Sequence, residues 1–326
     1  MKLTLLFLVS IYLLTGCGVK SEPIPTTVAT DTTEVTQPLT TEEAVTTEHP
    51  FEIELTEDSM KDPYGVAINS LGHIYVSDMG NDRVLIFDEN GMLLDKWDKQ
   101  GREGGAFNSM GFGGLAIDAN DNVFVVDNGN YRIQKFDKAG SFITQWGIAG
   151  NEKSQFVRAI GITVDLDGNI YVTDDGNPYV QKFDNDGNFL MRFGGLGDGA
   201  GLFRHATGIA VDLIGNVFVA DYETKSVQKF DSSGKFLIEW KMGADIGVSG
   251  TPEGIAVDVE GNVFVTDYDL GRLQVFNNEG NFMWALGGKT IDSNPFDRPT
   301  AIAFDGAGNM VIVNQLTAKL TVIELP

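Results

Sequence analysis

Cysteine is nearly absent: Cys17 is the only one in 326 residues. No intrachain disulfide can form, and a multi-cysteine zinc site is excluded. Histidine is almost as scarce. Beyond residue 50 the chain has only His73 and His205, too few for a histidine-rich zinc centre. Lys and Arg number 23 against 46 Asp and Glu, a formal charge of -23, and they form no basic run. A surface this acidic repels phosphate backbones, so nucleic acid is not an expected partner. Neither a Gly-x-Ser-x-Gly elbow nor a phosphate-binding loop occurs. No catalytic constellation, metal set or cofactor motif stands out. After Phe51 no stretch places apolar residues at i, i+3, i+4 and i+7, so almost no helix is expected.

The front of the chain differs from the rest. Met1-Lys2 gives a short positive start, and Leu3 to Leu14 is a nearly continuous apolar run. It is shorter than the roughly 20 residues that a spanning helix needs, and it suits an export signal. The run ends in Leu14-Thr15-Gly16-Cys17, which resembles the bacterial lipobox. The resemblance implies a signal peptide over 1–16, cleavage after Gly16, and acylation of Cys17 as the new N-terminus. That would anchor the chain by lipid to the cell membrane or outer membrane, with the remainder extracytoplasmic. An acylated Cys17 would also remove any catalytic thiol. Residues 17–50 are rich in Thr, Pro and Glu. They bury too little apolar surface to offset their ordering entropy, so a flexible tether is expected.

From Phe51 the composition turns to Gly, Val, Ile, Phe and Asp. One pattern recurs six times. It ends in Tyr75-Val-Ser-Asp78, Phe124-Val-Val-Asp127, Tyr171-Val-Thr-Asp174, Phe218-Val-Ala-Asp221, Phe264-Val-Thr-Asp267 and Val311-Ile-Val-Asn314. The successive spacings are 49, 47, 47, 46 and 47 residues. Such a period, with four short strands per unit, indicates propeller blades. Ile170 and Val172 face one way and Tyr171 the other, so each sheet is expected to be buried on both sides. Asp165-Leu-Asp-Gly168-Asn169 and its copies at Asp212 and Asp258 supply turn chemistry, Gly for positive φ and Asp for backbone amides. A calcium loop would need more ligands and a distant Glu.

The sequence Gly-Ile-Ala-Val-Asp, then Gly-Asn-Val-Phe-Val-x-Asp, then Gln-x-Phe-Asp-x-x-Gly, recurs in register and resembles the NHL repeat over 57–326. The resemblance implies an all-β fold, a six-bladed β-propeller. It also implies that a basic residue after the second strand pairs with the Asp that ends it. Arg83, Arg132 and Arg272 match, Lys319 is a near match, and Tyr179 and Ser226 depart. The last unit has only three strands, at about 300–304, 309–314 and 319–324. Phe51-Glu-Ile-Glu-Leu55 alternates like a strand and is expected to supply the fourth, closing the 51–326 domain.

The short hairpins lie on one face of such a ring. The variable loops lie on the other, where binding is expected. Residues just before the innermost strands, Tyr64, Phe112, Arg158, His205, Glu253 and Arg298, should ring the channel mouth. The second-to-third-strand loops add Asp175, Tyr222 and Tyr268. Aromatics mixed with a few charges suit a peptide or small-ligand surface. The expected function is a monomeric binding or scaffold module for a protein, peptide or cell-envelope glycan. The alternative is a metal-assisted lyase or lactonase-type hydrolase at the channel mouth, as in six-bladed relatives.

Overall fold

The computed structural model describes residues 51–53, 60–111, 113–243, 245–288 and 294–324. Signal segment 1–16, Cys17, the tether to residue 50, and Phe112 lie outside the described residues. Six four-stranded antiparallel sheets follow one another along the chain. Blade three is representative: Ala159–Val164, Ile170–Asp174, Tyr179–Phe183 and Phe189–Gly194, innermost to outermost. The other innermost strands are Pro63–Ile68, Leu115–Ile117, Ala206–Val211, Pro252–Val257 and Pro299–Phe304. The only helical elements among the described residues are two 3-10 turns, Met79–Asn81 and Asn128–Asn130.

Blade six is completed from the other end of the chain. Phe51–Ile53 pairs antiparallel with Lys319–Ile323, Phe51 opposite Val322 and Ile53 opposite Leu320. The closing strand is therefore the one that the alternation of 51–55 predicts.

The core is six apolar layers, one between each pair of neighbouring blades. Ile170 and Val172 pack with Phe124 and Val126 of blade two. Tyr171, on the opposite side of the same strand, packs with Val217 and Val219 of blade four. A two-residue repeat buried on both faces is what places consecutive residues in different layers. The hairpin tips use their acids locally. Asp165 Oδ1 accepts the Asp167 and Asn169 amides at 3.0 and 2.8 Å, and Gly168 takes φ +81°.

A second set of acids ties each blade to its own incoming loop. The residue ending each second strand, Asp78, Asp127, Asp174, Asp221, Asp267 or Asn314, is at most 1% exposed. Each accepts a backbone N–H from just ahead of the innermost strand. Lys61 N reaches Asp78 at 2.7 Å, Arg158 N reaches Asp174 at 2.8 Å, and Arg204 N reaches Asp221 at 2.7 Å. Thr251 N reaches Asp267 at 3.0 Å and Asp297 N reaches Asn314 at 3.0 Å. In blade two the partner, Asn108, stands 19 residues before Asp127 instead of 17 as for Lys61 and Asp78. The longer first period is thus absorbed between Asn108 and the innermost strand. Burial raises the carboxyls of Asp127, Asp174 and Asp267, and their amide hydrogen bonds pull the other way.

The basic partners divide. Arg83 and Arg132 pair with Asp78 and Asp127 at 2.6 and 2.8 Å. Arg272 instead directs Nη2 to Asp245 at 2.6 Å, and Gln274 Nε2 donates to Asp267 at 2.9 Å. Blades three and four, which lack the Arg, hold their Asp with backbone amides, two of them from Glu223 and Thr224 in blade four.

Removing residues 51–56 should lower the thermal midpoint by on the order of 5 °C or more, because a ladder is lost and a sheet edge is exposed. A scanning calorimetry trace unchanged by the deletion would show that the strand adds nothing to ring stability.

Candidate functional site

The innermost strands converge because glycine occupies one position in four of them, Gly65, Gly161, Gly208 and Gly254, and Gly114 stands just before a fifth. A Cβ on Gly161 would lie 2.3 Å from the Thr207 carbonyl oxygen, and one on Gly208 would lie 2.4 Å from that of Glu253. Any larger residue would push the blades outward. Thr300 Oγ1 of blade six donates to the Tyr64 carbonyl at 2.8 Å, closing the ring to blade one. The channel is consequently narrow, and side chains one step before this girdle meet over it. Tyr64 Oη donates to Glu253 Oε1 at 2.5 Å, joining blades one and five. Both residues lie inside their innermost strands, at the second position. That corrects the expectation that they precede the strands.

Above this bridge is a cavity of about 250 Å³. Its walls are Tyr64, Arg158, Ile160, His205, Tyr222, Glu253, Tyr268 and Gln315. Six of the nine residues named from sequence thus share one cavity, with Asp175 and Arg298 outside its lining. Arg298 stands behind the wall, its guanidinium carbon 5.5 Å from the Tyr268 ring centroid. Phe112 lies outside the described residues.

The walls come from equivalent positions in successive blades. In blades three to six the residue after the second strand donates its N–H to the carbonyl of the residue entering the innermost strand: Asp175 to Arg158, Tyr222 to His205, Tyr268 to Thr251, and Gln315 to Arg298, at 2.9 to 3.1 Å. Sequence reading missed Gln315 because the strand before it ends in Asn314 instead of Asp. Counting one residue past each strand end would have found it. Ile160 stands at the position of Tyr64 and Glu253 in blade three and was missed because it is apolar. Gln315 accepts a hydrogen bond from Tyr268 Oη at 2.7 Å.

The charges are partly matched. Asp175 is buried, forms an ion pair with the Arg158 guanidinium and lies 3.2 Å from His205 Nε2. Burial, with the Arg158 charge adding to it, holds the His205 imidazole below its usual range. Burial also pushes Tyr64 well up, with the neighbouring Glu253 charge acting in the same direction. The Glu253 carboxyl is pushed up to about 7 by burial, against the opposing effects of the Tyr64 hydrogen bond and of Lys225. Among the described residues no three His, Cys, Asp or Glu side chains are grouped to hold a metal ion.

The Glu253 proton is held more tightly in the folded protein than in the unfolded chain. Its stabilising contribution is complete below the ordinary value of 4.5 and is lost as pH rises through about 7. Glu253→Gln cannot ionise and escapes that loss. Its unfolding free energy relative to wild type should rise by on the order of 3 kcal/mol between about pH 4 and about pH 8. Urea unfolding of both proteins measures this; parallel pH profiles would mean that Glu253 ionises without hindrance.

The family profile of the NHL repeat matches residues 61–87, 113–136 and 250–276. No curated protein sequence matches the chain. Solved structures resemble it in fold. A streptogramin B lyase is 15% identical at a TM-score of 0.63, over 87% of this chain and 100% of that one. A gluconolactonase from Xanthomonas campestris is 19% identical at 0.62, over 82% and 88%. Virginiamycin B lyase from Staphylococcus aureus is 14% identical at 0.61, over 85% and 99%. At these identities the likeness is one of fold alone. With NHL repeats matched in blades one, two and five and the same architecture in the other three, the chain is a six-bladed β-propeller that contains NHL repeats.

Proposed function

We propose that this propeller is an exported, lipid-anchored binding module whose variable-loop face engages a protein, peptide or cell-envelope glycan. One group of that partner enters the cavity at the channel mouth. The carrying observation is convergence: Tyr64, Arg158, His205, Tyr222, Glu253 and Tyr268, from four blades, line one cavity of about 250 Å³. That volume fits a side chain or a single sugar ring, and phenol, guanidinium and imidazole groups spaced around it can orient such a group. Immobilised propeller should capture its partner from solubilised envelope, and the His205→Ala/Tyr222→Ala double variant should capture at least about tenfold less. Undiminished capture by a correctly folded variant would remove the cavity from the binding surface.

The anchor rests on Leu14-Thr15-Gly16-Cys17. Cys17→Ser should abolish incorporation of labelled palmitate and release the protein from the membrane fraction. A variant that stays membrane-bound would overturn lipid anchoring.

A second reading, a lyase or hydrolase at the same mouth, is favoured by Glu253. A carboxyl that titrates near 7 beside a phenol is suited to proton transfer. The fold neighbours named as a streptogramin B lyase and a gluconolactonase lend this reading its reaction classes. The metal-assisted form would need ligands beyond those that the described residues group together. Elemental analysis of the purified protein separates the two, since a stoichiometric metal would favour the hydrolytic form.

A further inference from the structure

Building on the reading of this cavity as a binding site, we infer that the group it takes is an organic cation, a primary or methylated ammonium, seated among Tyr64, Tyr222 and Tyr268 with Glu253 as its counter-charge. Four observations converge on that chemistry. Glu253 is buried, and only its Oε1 is engaged, by Tyr64. Among the described residues Oε2 accepts no hydrogen bond, although the residue lines the cavity. That oxygen opens on the cavity, and for an otherwise buried carboxylate a cation is the group that answers it best.

The tyrosine rings are already used in this manner. Lys225 Nζ lies 4.3 Å from the Tyr222 centroid, and the Arg298 guanidinium lies 5.5 Å from that of Tyr268. The negative faces of these rings attract cations. Neither positive group of the cavity lining opposes a further one, and Lys225, outside the lining, is engaged by Thr251 Oγ1 at 2.9 Å. Arg158 is paired with Asp175, and burial disfavours the charged form of His205. An anion would gain little, because the accessible guanidinium is already matched and Glu253 and Asp269 would repel it. The chain as a whole carries -23, which raises the concentration of cations near the mouth.

The groups that face Glu253 are Tyr64, Tyr222, Tyr268, Arg158, Lys225, His205 and Asp269. Burial raises Tyr64, Tyr222 and Tyr268, so the three phenols keep their protons from pH 6 to 8 and set no slope there. Glu253, pushed up to about 7, is mostly protonated at pH 6 and mostly ionised at pH 8. His205 gains charge only toward acid, where it opposes the same cation, so both groups move binding in one direction. Cation binding should strengthen with rising pH and release a proton near neutrality.

Isothermal titration of the whole protein tests this with matched probes: choline against 3,3-dimethylbutanol, glucosamine against N-acetylglucosamine, and Nα-acetyl-lysine amide against its Nε-acetyl form. In at least one pair the charged member should bind about tenfold more tightly at pH 8, and about tenfold more tightly than it does at pH 6. The pair that responds identifies the source of the ammonium as a lipid or choline head group, an amino sugar or a lysine. Glu253→Gln should flatten the pH profile and weaken binding about tenfold at pH 8. Tyr222→Leu should weaken it severalfold, and Tyr222→Phe, which keeps the ring, should not. Thermal melts confirm that each variant folds. Equal binding of the uncharged members, lost in His205→Ala/Tyr222→Ala, would overturn the cation and leave the binding site standing. So would silence from every probe while envelope capture still depends on His205 and Tyr222. If capture itself ignores that double variant, both readings fall.

Discussion

A hydrogen-bonded side chain at the end of each second strand, an acid in five blades and Asn314 in the sixth, organises this propeller. A carboxyl at the centre of a blade, with no access to water, must have donors or be neutral. Here the donors are the backbone amides of the loop arriving from the preceding blade. The same atoms that satisfy the acid therefore fix the path of the chain into the innermost strand. Arg158 and His205 sit on that fixed path, and Asp175, Tyr222, Tyr268 and Gln315 sit one residue beyond the acid or, for Gln315, beyond Asn314. Both rings of cavity residues are held from one point. This is how a repeat built from short strands presents variable side chains at a constant radius.

Most of the fold could be read from the sequence because each local signal agrees with the global one. The six strand endings, the Asp165-to-Asn169 turn with its copies, and Phe51–Ile53 as the closing strand all appear in the structure. The mouth was legible for the same reason: in a ring of equivalent units, one sequence position maps to one radius. Arg158, His205, Tyr222 and Tyr268 were found in that way.

Other features depend on quantities that no local pattern carries. The Tyr64–Glu253 hydrogen bond spans 189 residues and depends on how closely the glycine girdle draws the blades together. The sharing of Asp175 between Arg158 and His205 depends on the angle between blades three and four. Arg272 matches the repeat yet pairs with Asp245 on its own incoming loop. A motif states which residue is available, and the loop around it decides where the charge goes.

The closing strand has a consequence for how the ring comes into being. Phe51 is opposite Val322, so the first strand of the domain to be synthesised is among the last to find its partner. Joining segments so far apart costs on the order of 5 kcal/mol in chain entropy, before any constant term. A three-residue ladder repays little of that by itself, and the apolar layer between blades six and one must form together with it. Ring closure is therefore an all-or-none event that waits for the whole chain. Until then the propeller is an open arc with two unpaired edges, and the interval between synthesis and closure is when it is most exposed to edge-to-edge association.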